Sequence, residues 1–205
     1  MEIESAYLTD TFSPEEYLIN IVRRAVLNSQ NILIDTPNHG HITLFSSDGE
    51  YFSDVENPEE FCRLPASSFK VTVLNEAKLK AYKTGIGRNL DELLWQVGFY
   101  ASNGRLMEGC MWNDVVELSH WPNFTRVPVR PSFLRLAAIL AKQATSLEYC
   151  ITLLKISRQE AYQFYTAAIS AGAVRVVNRP PKQLNLKPHR NQALLGLLLE
   201  KIAQI

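Results

Sequence analysis

Three cysteines, Cys62, Cys110 and Cys150, stand far apart in 205 residues with no Cys-x-x-Cys spacing. So sparse and odd a set excludes the even, dense disulfide frameworks of small secreted folds, and a reducing, cytoplasmic setting is expected. Each thiol is expected to be a small buried or half-buried apolar group. Nine glycines and ten prolines are too few for a collagen-like or low-complexity chain. No window reaches the roughly 20 apolar residues that cross a bilayer, and Gly196 interrupts the longest run, Ala193 to Leu199. Met1 to Phe12 holds acids and no base, the wrong charge for a secretory leader. Catalytic signatures are missing too: there is no Gly-x-Ser-x-Gly, His-Glu-x-x-His or Gly-x-x-x-x-Gly-Lys-[Ser/Thr].

What is present is an ordinary core-forming composition, 46% hydrophobic and 20% charged, with a formal net charge of zero. That zero conceals a split. Residues 1–129 carry 10 Lys/Arg against 18 Asp/Glu, and residues 130–205 carry 11 against 3. Two modules of opposite charge are implied. Either the basic one meets an anionic partner, or the two attract each other and the dipole is internal.

The first module, residues 1–126, reads as α+β with a small mixed or antiparallel sheet. Ser13-Pro14-Glu15-Glu16 has the cap, proline and acidic first turn of a helix start, and Tyr17, Leu18, Ile21, Val22, Ala25 and Val26 follow at helical spacing. Ile32 to Ile34 predicts a strand, and Asp48-Gly49 between 41–45 and 50–53 predicts a hairpin. Asn57-Pro58-Glu59-Glu60 opens a short helical turn, Phe69 to Leu74 alternates as a strand, and 76–83 fits helix or sheet. Asn89 starts a second helix that ends at Ser102-Asn103-Gly104, and a third helical stretch is expected over Trp112 to Leu118. Val127 to Pro131, rich in proline, serves as an extended join.

Residues 132–205 form the basic module. Ser132 opens a helix to about Gln143, and Thr145 or Ser146 opens a second. Ser157 and Glu160, at capping-box spacing, open a third, which Gly172 stops. Ala173 to Val177 is a strand, 178–188 a basic loop, and 191–205 an amphipathic helix whose leucines make either core or a homodimer seam. Thr145-Ser146-Leu147-Glu148, then Leu154 to Glu160, then Ala171-Gly172-Ala173-Val174 carry this order of elements. Over residues 132–190 it resembles the winged helix-turn-helix superfamily.

In DNA-binding members the third helix enters the major groove and the wing touches backbone. The resemblance therefore implies base contacts from Arg158, Gln159, Gln163 and Thr166 on helix 158–171, and phosphate contacts from Arg175, Arg179, Lys182, Lys187 and Arg190 on the wing, 175–190. Against a nucleic acid stand the single base and the acid of that helix and its aromatic residues, and winged helices also serve as protein docking modules. The favoured expectation is a non-catalytic regulatory or adaptor protein that binds a protein partner without cofactor, metal or membrane. A transcriptional regulator that binds duplex DNA is the alternative.

Other residues were weighed on the same terms. His39-Gly40-His41 reads as a surface turn, since alternate strand positions point apart. Gly85-Ile86-Gly87-Arg88 reads as a turn before a helix rather than a phosphate cradle. His120 and His189 read as structural or solvated. Trp95, Trp112 and Trp121, with Phe99 and Tyr100, suit a core or a pocket wall.

Overall fold

Strand β1 (Thr11–Phe12) runs parallel to β7 (Leu106–Met107), so the first described residues are already tied to the middle of the chain. The computed structural model describes residues 11–75, 81–83 and 86–179. Pro14–Glu16 makes a 3-10 turn rather than the first turn of the following helix. Tyr17 breaks the two apart in extended conformation, and α1 spans Leu18–Leu27. Ser13 makes no side-chain capping bond, which corrects the expected start.

The predicted strands are β2 (Ile32–Thr36), β3 (Gly40–Phe45), β4 (Glu50–Ser53) and β5 (Lys70–Val73), and a short β6 (Arg88–Asn89) joins them where a turn before a helix was expected. They make one antiparallel sheet in the order β5-β2-β3-β4-β6. Alternation sets its inner face: Ile32, Ile34, Ile42, Leu44 and Tyr51 share a core with Leu18, Ile19 and Val22 of α1. Between strands, Asn57 caps α2 (Pro58–Arg63) by accepting from the Glu60 amide.

Helix α3 (Leu90–Ser102) is capped by Asn89, which accepts from the Asp91 amide, and beyond Glu92 it contains no charge. A helix uncharged on every side is a buried helix. It ends on Asn103 and Gly104, both at positive φ, as the Ser-Asn-Gly sequence predicts. The expected helix over 112–118 is instead strand β8 (Val115–Leu118). Its Val-Val pair favours a pleated, half-buried surface, and partners on both sides satisfy its backbone.

The second half contributes α4 (Phe133–Lys142), β9 (Thr145–Ser146), α5 (Leu147–Leu154), α6 (Arg158–Ser170) and β10 (Val174–Val176). Ser146 caps α5, and Ser157 with Glu160 completes the predicted capping box on α6. Ser132 does not cap α4; its hydroxyl donates to Glu160 at 3.2 Å. The amphipathic stretch 191–205, the loop beyond Arg179 and residues 76–80 lie outside the described residues.

The expected boundary at 126/127 does not separate the packing. β8, from the first half, is the central strand of the antiparallel sheet β10-β8-β9, with Val174 opposite Leu118 and Thr145 opposite Val116. α3 lies along α6, the broadest helix pairing among the described residues. One hydrophobic cluster runs from Phe12 to Val174. The proline-rich join is itself fixed: Val127 is buried, and the Trp95 indole donates to the Pro128 carbonyl at 2.9 Å. No helix among the described residues is long and apolar enough to cross a membrane.

Candidate partner-binding cleft

The residues expected on an open recognition face divide sharply. Arg158 and Gln159 lie exposed in the first turn of α6. Gln163 and Thr166 are 2% and 0% exposed, which corrects their expected place on the surface. Gln163 donates to the Phe99 carbonyl at 3.0 Å and accepts from Arg130. Tyr162 and Tyr165 are buried as well. The cause is α3, which occupies the side of α6 that a free-standing three-helix unit would leave open. Gly98 permits the approach, since a Cβ there would stand 2.8 Å from the Ser170 hydroxyl and 3.0 Å from the Thr166 carbonyl.

The expected wing cations in the described residues are engaged with carboxylates. Arg175 pairs with Glu117 across the β10–β8 ladder. Arg179 grips Asp114, which is only 1% exposed. Asp114 also accepts from the Tyr165 hydroxyl at 2.7 Å and the Met111 amide at 2.8 Å. Burial pushes the Tyr165 hydroxyl pKa well above its ordinary value, and the bond it donates to Asp114 adds to the shift. Lys182, Lys187 and Arg190 lie outside the described residues.

Where the two halves meet, at the N-terminal end of α3, there is a cleft of about 190 Å³. Asn89, Asp91, Glu92 and Trp95 form its α3 side, His120 to Asn123 and Val127 come from the segment between β8 and α4, and Ala171 and Ala173 come from the end of α6. Trp95 is buried at the back, crossed at near right angles by Phe124, which also meets Trp121 edge-on at 6.5 Å between centroids. Trp121 remains 54% exposed. Glu92 is committed, with Arg88 at 2.9 Å and Arg126 at 3.7 Å. Asp91 is exposed, and none of the ion pairs among the described residues involves it.

The tryptophans thus divide between the two uses the sequence allowed: Trp95 serves the core and Trp121 a pocket wall. By sequence alone Asp91 belongs to a helix start and His120 reads as structural or solvated, and neither is placed at a site.

The His39-Gly40-His41 segment is a surface turn only at His39, since Gly40 and His41 open strand β3. His39 meets Glu60 at 3.2 Å and His41 meets Asp54 at 2.8 Å, two separate pairs. A hydrogen bond to the Pro37 carbonyl, then one to Glu60, raises the His39 pKa. Among the described residues no three His, Cys, Asp or Glu side chains are grouped to hold a metal ion. No family model, curated protein or solved structure matches the chain.

Proposed function

We propose that this protein is a non-catalytic regulatory or adaptor module that binds a protein partner, and that the cleft between its halves is the docking point. The observation that carries the reading is Trp121, half exposed at the rim of a cleft whose far wall is the buried Trp95. Exposed tryptophan beside a formed pocket is the pattern of interface hot spots. Size points the same way: about 190 Å³ falls below the ~300 Å³ at which small-molecule and cofactor pockets begin, and suits a single side chain.

Electrostatics favours a protein over a nucleic acid here, because the charged residues lining the cleft, Asp91 and Glu92, are both acids. The burial of α6 past its first turn also weighs against major-groove reading by that helix. In this proposal the winged-helix-like order α4-β9-α5-α6-β10 is a scaffold that presents the join, with β8 borrowed as its central strand.

The test is site-specific photo-crosslinking with the full chain. A photoreactive phenylalanine analogue in place of Trp121, irradiated in the native cell, should give one cross-linked polypeptide; the same group in place of Arg135, exposed on α4, should not. Absence of an adduct at position 121, or capture of nucleic acid there, sinks the reading.

A further inference from the structure

We infer that the group the cleft receives is a cationic side chain, a lysine or arginine of the partner. This rests on the reading of the cleft as a protein-docking point and adds its chemistry. Two features converge on a cation. Trp121 offers an open indole, the aromatic ring that attracts cations most strongly. Asp91, lining the same cleft, is a carboxylate that takes part in none of the ion pairs among the described residues. The neighbouring Glu92 cannot do the same work, since it is already paired with Arg88 and Arg126.

No lysine or arginine lines the cleft to repel the newcomer; its basic side chain is the imidazole of His120. The apolar components, Val127, Ala171, Ala173 and Trp95, suit the methylene stem, because long cationic side chains bury their stems and keep their charged ends near water.

The experiment follows the indole N–H signals of the full-length protein by NMR during titration with N-acetyl-lysine methylamide. Its neutral isostere, N-acetyl-norleucine methylamide, and N-acetyl-glutamate methylamide run in parallel. The lysine probe should shift the Trp121 signal saturably and leave Trp112 unmoved. Asp91→Asn should weaken it about fivefold, the scale of one exposed charge contact, and in Trp121→Ala the accompanying shift of the Trp95 indole, which lines the same cleft, should be lost. Norleucine should bind far less well and glutamate not at all.

Equal binding of norleucine overturns the cationic assignment and leaves an apolar docking point. No binding by any probe, with the position-121 cross-link still formed, overturns the cationic assignment alone. Loss of both the probe shift and the cross-link overturns the docking point with it. Binding of glutamate in preference to lysine reverses the charge assignment outright.

Discussion

The guanidinium of Arg179 closes on the buried carboxylate of Asp114 at two points, Nε to Oδ1 at 2.6 Å and Nη2 to Oδ2 at 2.7 Å. The contact joins residues 65 positions apart and fastens the end of the β10 segment to the turn before β8. Arg179 also donates to the Gly109 carbonyl at 2.8 Å. A residue whose type and neighbourhood suggest a phosphate contact is thereby a structural clamp.

Removing the clamp on one side should be expensive. Arg179→Met leaves Asp114 buried without its counter-ion, and the expected loss of stability is about 3–5 kcal/mol in urea unfolding. The double variant Arg179→Met with Asp114→Asn should recover a large part of it, because no unpaired charge then remains. A loss below about 1 kcal/mol in the single variant would mean that the pair is open in solution.

Most of the local structure was legible from the sequence. The hairpin at Asp48-Gly49, the cap at Asn89, the capping box at Ser157 and Glu160 and the stop at Gly172 each depend on neighbours within a few residues. Assembly was not legible in the same way. Strand β8 takes its identity from β9 and β10, about 30 and 60 residues downstream, so a seven-residue helical reading had nothing local to contradict it. The burial of α6 did leave a trace: Ala161 to Ser170 contains no charge, which an exposed recognition face would be expected to carry. The cleft needed both halves in place before Asp91 and Trp121 could share it.

Gly98 offers a test of that assembly with a difference in sign. In an isolated α3, Gly98→Ala should stabilise by about 1 kcal/mol through helix propensity. Against α6 the new methyl meets the Thr166 carbonyl, which is backbone and cannot rotate away, as well as the Ser170 hydroxyl. Overpacking of this kind costs about 1–3 kcal/mol, so the net change should be destabilising. Thermal unfolding of the full-length variant reads the sign directly, and a raised midpoint would contradict the α3–α6 contact.

Alkaline pH should weaken the fold through its thiols. Burial pushes Cys62 from 9.0 up to about 12, and Cys110 and Cys150 up to about 11. The sign follows from the raised values. Below pH 9 the thiols are protonated in both states; above it the unfolded chain releases protons that the native protein retains. Stability is therefore lost as pH climbs from 9 toward the native values, by about 1 kcal/mol per pH unit for each thiol. Urea midpoints at pH 8, 9 and 10 should fall progressively. Cys62→Ala should flatten that fall while lowering stability at every pH through the cavity it leaves.

Glu160 should matter more than the cap it completes. Its carboxylate accepts from the Ser157 amide as the reciprocal half of the capping box, and it also accepts from the Ser132 hydroxyl at the head of α4. Ser157→Ala removes one cap acceptor and should cost about 1 kcal/mol. Glu160→Ala severs the amide contact and the bridge between α4 and α6, and strands the half-buried Ser132 contact, so it should cost about twice as much. Glu160→Gln, which keeps an acceptor for one of the two donors and puts an amide N–H2 in place of the other, should fall between wild type and Glu160→Ala. If Glu160→Ala were no worse than Ser157→Ala, the bond to Ser132 would contribute nothing, and α4 would be positioned by its apolar face alone.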